Sequence, residues 1–181
     1  LQIAFIKDKD LARKLGEDIN EMEKMLNEYL QFTSSSYVEK DEMFNLSELI
    51  KEIVIKYNNE NIKKNLLPRI YINGRKNLIK RGLNNIIDNA LKYGNKVEIK
   101  LSKENSNLLI TIDDDGSGIP KKEYENVFKP FYKIDKGRAE TKSSVGLGLS
   151  IASDIVRSHG GNIVLDKSKM NGLSVKISLP V

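Results

Sequence analysis

The sequence predicts an α+β fold in which helices pack on one face of an antiparallel or mixed sheet. Helical and strand patterns are interleaved along the chain, and their order does not follow the regular alternation of a parallel sheet. The 181 residues are sufficient for a hydrophobic core of their own. Because the chain contains no cysteine, disulfides, thiolate metal sites and thiol catalysis are excluded. The single histidine excludes a multi-histidine metal cage.

The first predicted element is a helix over residues 8–32. Its apolar residues recur at spacings of three and four, and charged residues fill the positions between them. This heptad seam covers about two and a half repeats, so we expect it to pack against another helix of this chain or of a second copy. A surface helix lying on the body of the domain is the alternative. The seam residues are Ala12, Leu15, Ile19, Met22, Leu26 and Tyr29.

The polar, serine-rich segment 33–43 is predicted to be a linker, and the elements of a globular domain follow it. Asn45 or Ser47 can cap the first helix of this domain. Residues 131–145 carry no helix or strand pattern. The predicted helices span 45–57, 77–93 and 147–158, and the predicted strands span 69–72, 97–101, 108–112, 162–166 and 173–179.

The net charge of +5 permits an anionic partner, but basic and acidic residues are interspersed along the whole chain and only 7% of residues are aromatic. We therefore interpret the charge as a solvated surface and predict no nucleic-acid binding. No apolar run approaches the roughly 18 residues that cross a bilayer. The chain begins at Leu1 without an initiator methionine, which suggests a fragment of a longer protein.

Polar residues occupy one face of the predicted helix 77–93. Asn85 and Asn89 are four residues apart, and Lys92 and Tyr93 continue that face. An amide oxygen can ligate a hard cation such as Mg²⁺, and a lysine one turn away can contact the phosphates that the cation bridges. An exposed polar helix face accounts for the same pattern equally well.

Three acidic residues, Asp113 to Asp115, stand at the end of a predicted strand and precede Gly116 and Gly118. Their spacing lacks the alternation of an EF-hand loop, so a calcium site is not predicted. A carboxylate at the mouth of a pocket could accept a hydrogen bond from an exocyclic amine, and the glycines would let the backbone approach a flat ligand. A surface turn is the alternative.

Gly146 and Gly148 lead directly into the predicted helix 147–158. Backbone amides at a helix N-terminus form a site for phosphate. The motif is neither a Walker loop nor a dinucleotide-binding turn. The preceding segment has a net charge of +2, which suggests a basic lid over a phosphate site. Its charged residues are Lys133, Asp135, Lys136, Arg138, Glu140 and Lys142.

Taken together, these motifs resemble the ATP-binding domains of sensor histidine kinases, within the gyrase–Hsp90–kinase–MutL superfamily. The resemblance implies a two-layer α/β sandwich, the Bergerat ATP-binding fold, with a mixed sheet backed by three helices. Residues 1–40 resemble the second helix of the dimerisation and phosphotransfer hairpin with its linker, most like osmosensor-type kinases, and residues 41–181 the catalytic domain. The matching boxes are 85–93 (N box), 114–118 (G1), 128–131 (F), 146–149 (G2) and the terminal glycines of 159–161.

The resemblance implies ATP and Mg²⁺ as cofactors and assigns roles to matching positions. Asn89 would ligate Mg²⁺, with Asn85 assisting. Lys92 would contact phosphate, and Tyr93 would line the nucleotide site. Asp114 would accept a hydrogen bond from the adenine amino group.

The other positions implied by the resemblance surround the base and the phosphates. Gly116 and Gly118 would give the base room, and Lys133 and Arg138 would reach the terminal phosphate. The amides around Gly146 and Gly148 would hold the polyphosphate, and Phe128 would anchor the near end of the lid. The remaining nucleotide-contacting positions are Ile119, Phe131, Leu147 and Leu149.

Three departures from the family pattern shape the expected activity. No His-Glu/Asp-Leu phosphoacceptor motif is present, His159 is interpreted as structural, and the acceptor helix is expected before Leu1. Ser144 and Val145 replace the usual Gly-Thr, so we expect slower lid closure. Asn85 stands where ATP-hydrolysing members use a glutamate as general base, so we expect slow ATP hydrolysis.

The sequence therefore predicts the catalytic fragment of a sensor histidine kinase. It would transfer the γ-phosphoryl group of Mg-ATP to a histidine outside this chain, for relay to a response regulator. The expected partners are ATP or ADP, a second copy through the helical hairpin and a receiver domain. The expected location is the cytoplasmic portion of a sensor whose membrane anchor lies outside this chain. The alternatives are a degenerate nucleotide-binding interaction module and an anti-sigma-type serine kinase, which should lack the heptad helix.

Overall fold

The computed structural model describes residues 9–35, 39–58, 60–104, 106–134 and 146–180. Two single-turn 3₁₀ helices, Lys121–Glu123 and Asn126–Phe128, accompany the regular elements. The helices are α1 (Lys9–Ser35), α2 (Leu46–Tyr57), α3 (Lys76–Tyr93) and α4 (Gly148–Ser158). The strands are β1 (Glu42–Asn45), β2 (Ile62–Leu66), β3 (Tyr71–Gly74), β4 (Val97–Glu104), β5 (Asn107–Asp114), β6 (Asn162–Lys167) and β7 (Leu173–Pro180).

The main sheet has five strands in the order β2-β4-β5-β7-β6. β2 runs parallel to β4, and the other neighbours are antiparallel, so the sheet is mixed as predicted. Along β5, Leu108, Ile110 and Ile112 are buried and alternate with less buried residues, which is the period-2 pattern of a sheet covered on one face.

Helices α2, α3 and α4 contribute apolar residues to the same core as the inward face of the sheet. On the opposite face, Glu98 and Lys100 are exposed and Lys176 pairs with Asp166 at 2.7 Å. A second, smaller apolar cluster joins Leu78 in the first turn of α3 to residues along α4. The predicted fold class, a mixed sheet backed by three helices, is therefore confirmed.

The two predicted caps of α2 have different roles. The Asn45 side chain accepts a hydrogen bond from the Glu48 amide at 3.2 Å and is the cap. Ser47 is fully buried instead; its hydroxyl donates to the Leu67 carbonyl at 2.7 Å and accepts from the Ile70 amide at 3.1 Å. Ser47 thus fastens α2 to the segment that leads into β3.

Two short strands are missing from the sequence prediction. β1 lies at the end of the predicted linker and pairs with β3 in a separate two-stranded antiparallel sheet, with Phe44 opposite Ile72. The strand predicted over 69–72 begins two residues later, at Tyr71. β2 is an edge strand whose middle residues, including Lys63 and Lys64, are exposed. The sequence did not indicate β2 as a strand, because only its two end residues are apolar.

The predicted heptad helix is present as α1, and its seam is open to solvent in the single chain. Leu15, Met22 and Leu26 are 37%, 67% and 57% exposed, so this stripe does not lie on the body of the domain. The side chain of Tyr29 lies outside the described part of the chain. Among the described residues, no helix combines the length and apolar character that crossing a membrane requires.

Candidate functional site

The end of α3, the end of β5 and the start of α4 meet at one edge of the sandwich. A Cβ placed on Gly116, just after β5, would lie only 2.6 Å from the Tyr93 carbonyl at the end of α3. A Cβ on Gly148 would lie 3.8 Å from the Cβ of Asn85. The structure therefore brings the three motifs singled out in the sequence to adjacent positions.

Asp114 is the buried carboxylate of this edge. It is 4% exposed, and its Oδ1 accepts hydrogen bonds from the Gly116 amide at 2.8 Å and the Leu173 amide at 3.1 Å. No described residue donates to its Oδ2. Burial raises the pKa of Asp114 above its ordinary value, while the two amides act in the opposite direction. One oxygen is thus fixed by the backbone, and the other remains available to a donor on a ligand.

Asp115 has a structural role. Its Oδ1 accepts hydrogen bonds from the amides of Asn95 and Lys96 at 2.7 and 2.8 Å. The backbone amide of Lys96 is the largest contribution that lowers the pKa of Asp115. This contact joins the end of β5 to the turn that follows α3. Of the two neighbouring acids, Asp114 is the buried one, and Asp115 is only half-buried.

The sequence prediction missed one glycine of the site, Gly172. A Cβ there would lie 2.2 Å from Asp114 Oδ1 and 2.5 Å from the Gly116 amide nitrogen. Gly118, which was predicted, has φ +69° and lies against the Gly172 carbonyl. The only local signal for Gly172 is the Asn171-Gly172 turn dipeptide, and that signal does not indicate a contact with a residue 58 positions earlier. Ile119 is half-buried and packs on the main core.

Four predicted residues of α3 occupy this edge. The Nδ2 of Asn85 is buried and has no hydrogen-bond partner among the described residues. Asn89 and Lys92 are half-buried, and Tyr93 is 56% exposed with its ring centroid 5.4 Å from the Lys92 Nζ. A buried, unpartnered donor beside a helix N-terminus suits a phosphate oxygen or a water.

Among the described residues, no side chain caps the first turn of α4. Leu147 precedes the helix, is 6% exposed and offers no capping group, and the Ser150 hydroxyl donates to the Leu147 carbonyl instead. The first amides of a helix have no partner within it, so those of Gly148, Leu149 and Ser150 are suited to bind an anion. Among the described residues, no group of three acidic, histidine or cysteine side chains could hold a metal ion.

The two ends of the predicted lid are fastened to each other. The Phe131 amide donates to the Gly146 carbonyl at 3.0 Å, and both residues have positive φ, +63° and +80°. A Cβ on Gly146 would lie 2.9 Å from the Tyr132 carbonyl. The Tyr132 hydroxyl donates to Glu123 Oε2 at 2.6 Å. Phe131 itself is 57% exposed, and Lys133 is exposed. Predictions for Arg138, Ser144 and Val145 lie outside the described residues.

His159 uses both ring nitrogens inside the protein. Its Nδ1 lies 2.7 Å from the Ile155 carbonyl oxygen and must donate to it, and its Nε2 accepts from the Arg75 amide at 3.1 Å. These two contacts define the neutral tautomer with the proton on Nδ1. The arrangement agrees with the predicted structural role and leaves neither nitrogen available for phosphorylation.

Comparisons with known proteins agree on one family. A family model described as "Histidine kinase-, DNA gyrase B-, and HSP90-like ATPase" matches residues 74–181. Sensor histidine kinase GtrS of Pseudomonas aeruginosa is 29% identical over 99% of this chain and 38% of its own length. Sensor histidine kinase WalK of Bacillus subtilis is 36% identical over 96% of this chain and 31% of its own length. The chain thus spans about a third of the length of these relatives.

Solved structures give the same result. The catalytic domain of histidine kinase ThkA superimposes with a TM-score of 0.67 at 26% identity, covering 78% of this chain and 95% of that domain. A mycobacterial sensor histidine kinase, MprB, gives a TM-score of 0.64 at 26% identity, with 77% and 97% covered.

Proposed function

The chain belongs to the histidine kinase-, DNA gyrase B- and HSP90-like ATPase family, and from this premise we propose that it is the catalytic portion of a sensor histidine kinase. It would bind Mg-ATP and deliver the γ-phosphoryl group to a histidine outside the chain. The observation that supports this proposal most directly is the combination, at one edge, of a buried carboxylate with an unengaged oxygen, Asp114, and the uncapped N-terminus of α4. The first suits an exocyclic amine and the second suits a polyphosphate.

The adenine end of the nucleotide would lie at Asp114, between Gly116 and Gly118. In a site from which water is excluded, a fixed carboxylate discriminates strongly for a ligand that donates a hydrogen bond. Tyr93 would cover part of the base, because its ring is exposed beside the same edge.

The polyphosphate would lie at the first turn of α4, with the buried Asn85 donor beside it. Asn89 and the phosphates would hold Mg²⁺, which would neutralise charge on the transferring phosphoryl group. Lys92, Lys133 and Arg138 would add positive charge around the terminal phosphate.

The proposed reaction depends on positioning and charge neutralisation. A ring nitrogen of a neutral imidazole attacks the γ-phosphorus, a P–N bond forms as the bond to the β–γ bridging oxygen breaks, and ADP leaves. An imidazole needs little help as a nucleophile, whereas water needs a general base. Asn85 cannot accept a proton at neutral pH, so the same site would favour transfer to histidine over hydrolysis.

We also propose the domain organisation and the partners. Residues 1–40 would be part of the dimerisation hairpin with its linker, and residues 41–181 the catalytic domain. The exposed seam of α1, with Leu15, Met22 and Leu26, supports packing against helices of the hairpin and of a second copy. The phosphorylated histidine would pass its phosphoryl group to a response-regulator receiver domain, on the cytoplasmic side of a membrane-anchored sensor.

Phosphoryl transfer in trans tests the proposal. The chain is mixed with a histidine-bearing hairpin of a related kinase and Mg-ATP labelled at the γ position, and Asn89→Ala is run alongside. Asn107→Ala, which changes the exposed first residue of β5 at the far end of that strand, is the control. We expect acid-labile, alkali-stable label on the hairpin with the wild type and the control, and none with Asn89→Ala.

Two other results would count against parts of the proposal. Nucleotide binding without transfer to any hairpin tried would favour the alternative of a nucleotide-binding interaction module. Label transfer by Asn89→Ala at the wild-type rate would refute the assignment of the metal ligand.

A further inference from the structure

The segment between α1 and the domain docks on the first turn of α3. Glu39 Oε1 accepts a hydrogen bond from the Asn77 amide at 2.7 Å, and its Oε2 accepts from the Leu78 amide at 3.1 Å. The residue at the helix start, Arg75, makes no side-chain cap. A carboxylate from elsewhere in the chain therefore caps α3, where a negative charge is also favoured by the helix dipole.

Arg75 joins the same point to the end of α4. Its Nη2 donates to the Ser158 carbonyl at 2.9 Å and to the Ser158 hydroxyl at 2.7 Å, and its backbone amide donates to His159. Asp41 approaches Arg75 Nε at 3.8 Å. This Nε is buried and has no hydrogen bond among the described residues. We call Glu39, Asp41, Arg75, Ser158 and His159 the linker-docking cluster.

Helices α3 and α4 pack antiparallel, so the cluster and the nucleotide site lie at opposite ends of their contact. Near the middle, Gly82 is buried and a Cβ there would lie 3.4 Å from Ile155 Cγ2. Toward the other end, Asn85 lies beside Gly148. Tightly packed helices shift as rigid bodies. A change in the spacing of the helices at Arg75 would therefore be felt past Gly82, as far as the first turn of α4.

We propose that the linker-docking cluster couples the position of the linker to nucleotide affinity. When Glu39 and Asp41 are docked, the start of α3 and the end of α4 are held together, and the opposite end of the helix pair is positioned to bind nucleotide. When the linker is released, nucleotide affinity falls. The inference rests on the proposed function, because it assigns a regulatory contact to that same site.

The proposal can be tested at the nucleotide site and at the linker-docking cluster, because the coupling free energy between two sites is the same in both directions. The test uses the full chain and compares wild type with Glu39→Gln by calorimetric titration with Mg-ADP and by amide hydrogen exchange at Asn77 and Leu78. Glutamine keeps one oxygen but loses the charge and the second acceptor. We expect affinity to fall by about threefold to tenfold, and nucleotide to slow exchange at both amides in wild type by a similar factor.

Glu48→Gln is the matched control, because Glu48 also stands in the first turn of a helix but pairs with Lys51 on the surface of α2. It should leave Mg-ADP affinity unchanged. A second variant, Arg75→Lys, keeps the charge while losing the paired bonds to Ser158, and we expect it to weaken affinity in the same direction.

The outcomes separate this inference from the proposed function. Wild-type protein that binds no nucleotide would refute both. Wild-type binding that is matched by Glu39→Gln, even with a lower melting temperature, would leave the proposed function standing and overturn the coupling. If nucleotide does not change the rate of amide hydrogen exchange at Asn77 and Leu78, the coupling is also overturned.

Discussion

Gly172 offers the sharpest test of the proposed adenine site, because the buried carboxylate of Asp114 packs directly against it. In Gly172→Ala, the new Cβ would lie 2.2 Å from Asp114 Oδ1 and 2.4 Å from the Asp114 carbonyl oxygen. Ordinary contact begins at 3.4 Å, so the carboxylate would have to retreat by about 1.2 Å. The neighbouring backbone is equally close and offers no room for the methyl group.

The cost of this change divides between binding and stability. A hydrogen bond to a charged group contributes about 1.5–3 kcal/mol, and at about 1.4 kcal/mol per tenfold its loss lowers affinity by roughly 10- to 150-fold. Forcing a methyl group into a packed site costs about 1–3 kcal/mol of folding stability. We therefore expect a folded but less stable protein with weak ATP binding.

The assay compares ATP with inosine triphosphate, which carries an oxygen in place of the exocyclic amine. Wild type should prefer ATP strongly, and Gly172→Ala should lose most of that preference. Gly16→Ala is the control, because a Cβ there has nothing within 4 Å. Undiminished ATP affinity and preference in folded Gly172→Ala protein would refute the assignment of Asp114 to the adenine amine.

Three further results are expected. Burial raises the pKa of Asp114, so its carboxyl group contributes stability below its ordinary pKa of 3.8, and this stability is lost as pH rises through the folded-state pKa. Asp114→Asn should therefore have a higher melting temperature than wild type at pH 7, and the difference should shrink in acid. The variant should also bind ATP about 10- to 100-fold more weakly, because it loses a hydrogen bond to a charged group. Tyr132→Phe removes the bond to Glu123 and should weaken ATP binding about twofold to tenfold while leaving adenosine binding unchanged in parallel titrations. His159→Gln loses one of the two hydrogen bonds that the ring makes inside the protein, so it should lower the melting temperature but preserve label transfer to a hairpin in trans. If the folded variant no longer transferred label, the structural role of His159 would be contradicted.

The elements with strong periodicity were predictable, and the two short strands were not. α3 and α4 carry regular apolar spacing, and β5 and β7 alternate, so local sequence was enough to locate them. β2 carries Lys63 and Lys64 in its middle and exists because it pairs with β4 some 35 residues later. Such a partner is not visible in a local window, because the hydrogen bonds that define an edge strand are long-range.

In the candidate site, too, the local patterns were predictable and the long-range contacts were not. Asp114 and Gly148 stand in recognisable local patterns, and the structure brings them to one edge. Gly172 approaches Asp114 from 58 positions away, and Glu39 caps a helix 38 positions later. These contacts depend on how the chain returns on itself, so no local propensity reports them. The role of Asp115 depended on geometry too, because three adjacent carboxylates look equivalent in a sequence.

The lysines of β2 also affect how copies of the protein behave toward one another. β2 ends the sheet, and an edge strand offers unpaired backbone groups to any other strand. In a dimer of the kind proposed, two catalytic domains share one assembly at an effective concentration on the order of millimolar. Lys63 and Lys64 lie on opposite faces of this strand, so edge-to-edge addition of two copies would bring like charges close together on each face, which is costly. We therefore expect the exposed lysines of β2 to disfavour edge-to-edge association of two catalytic domains.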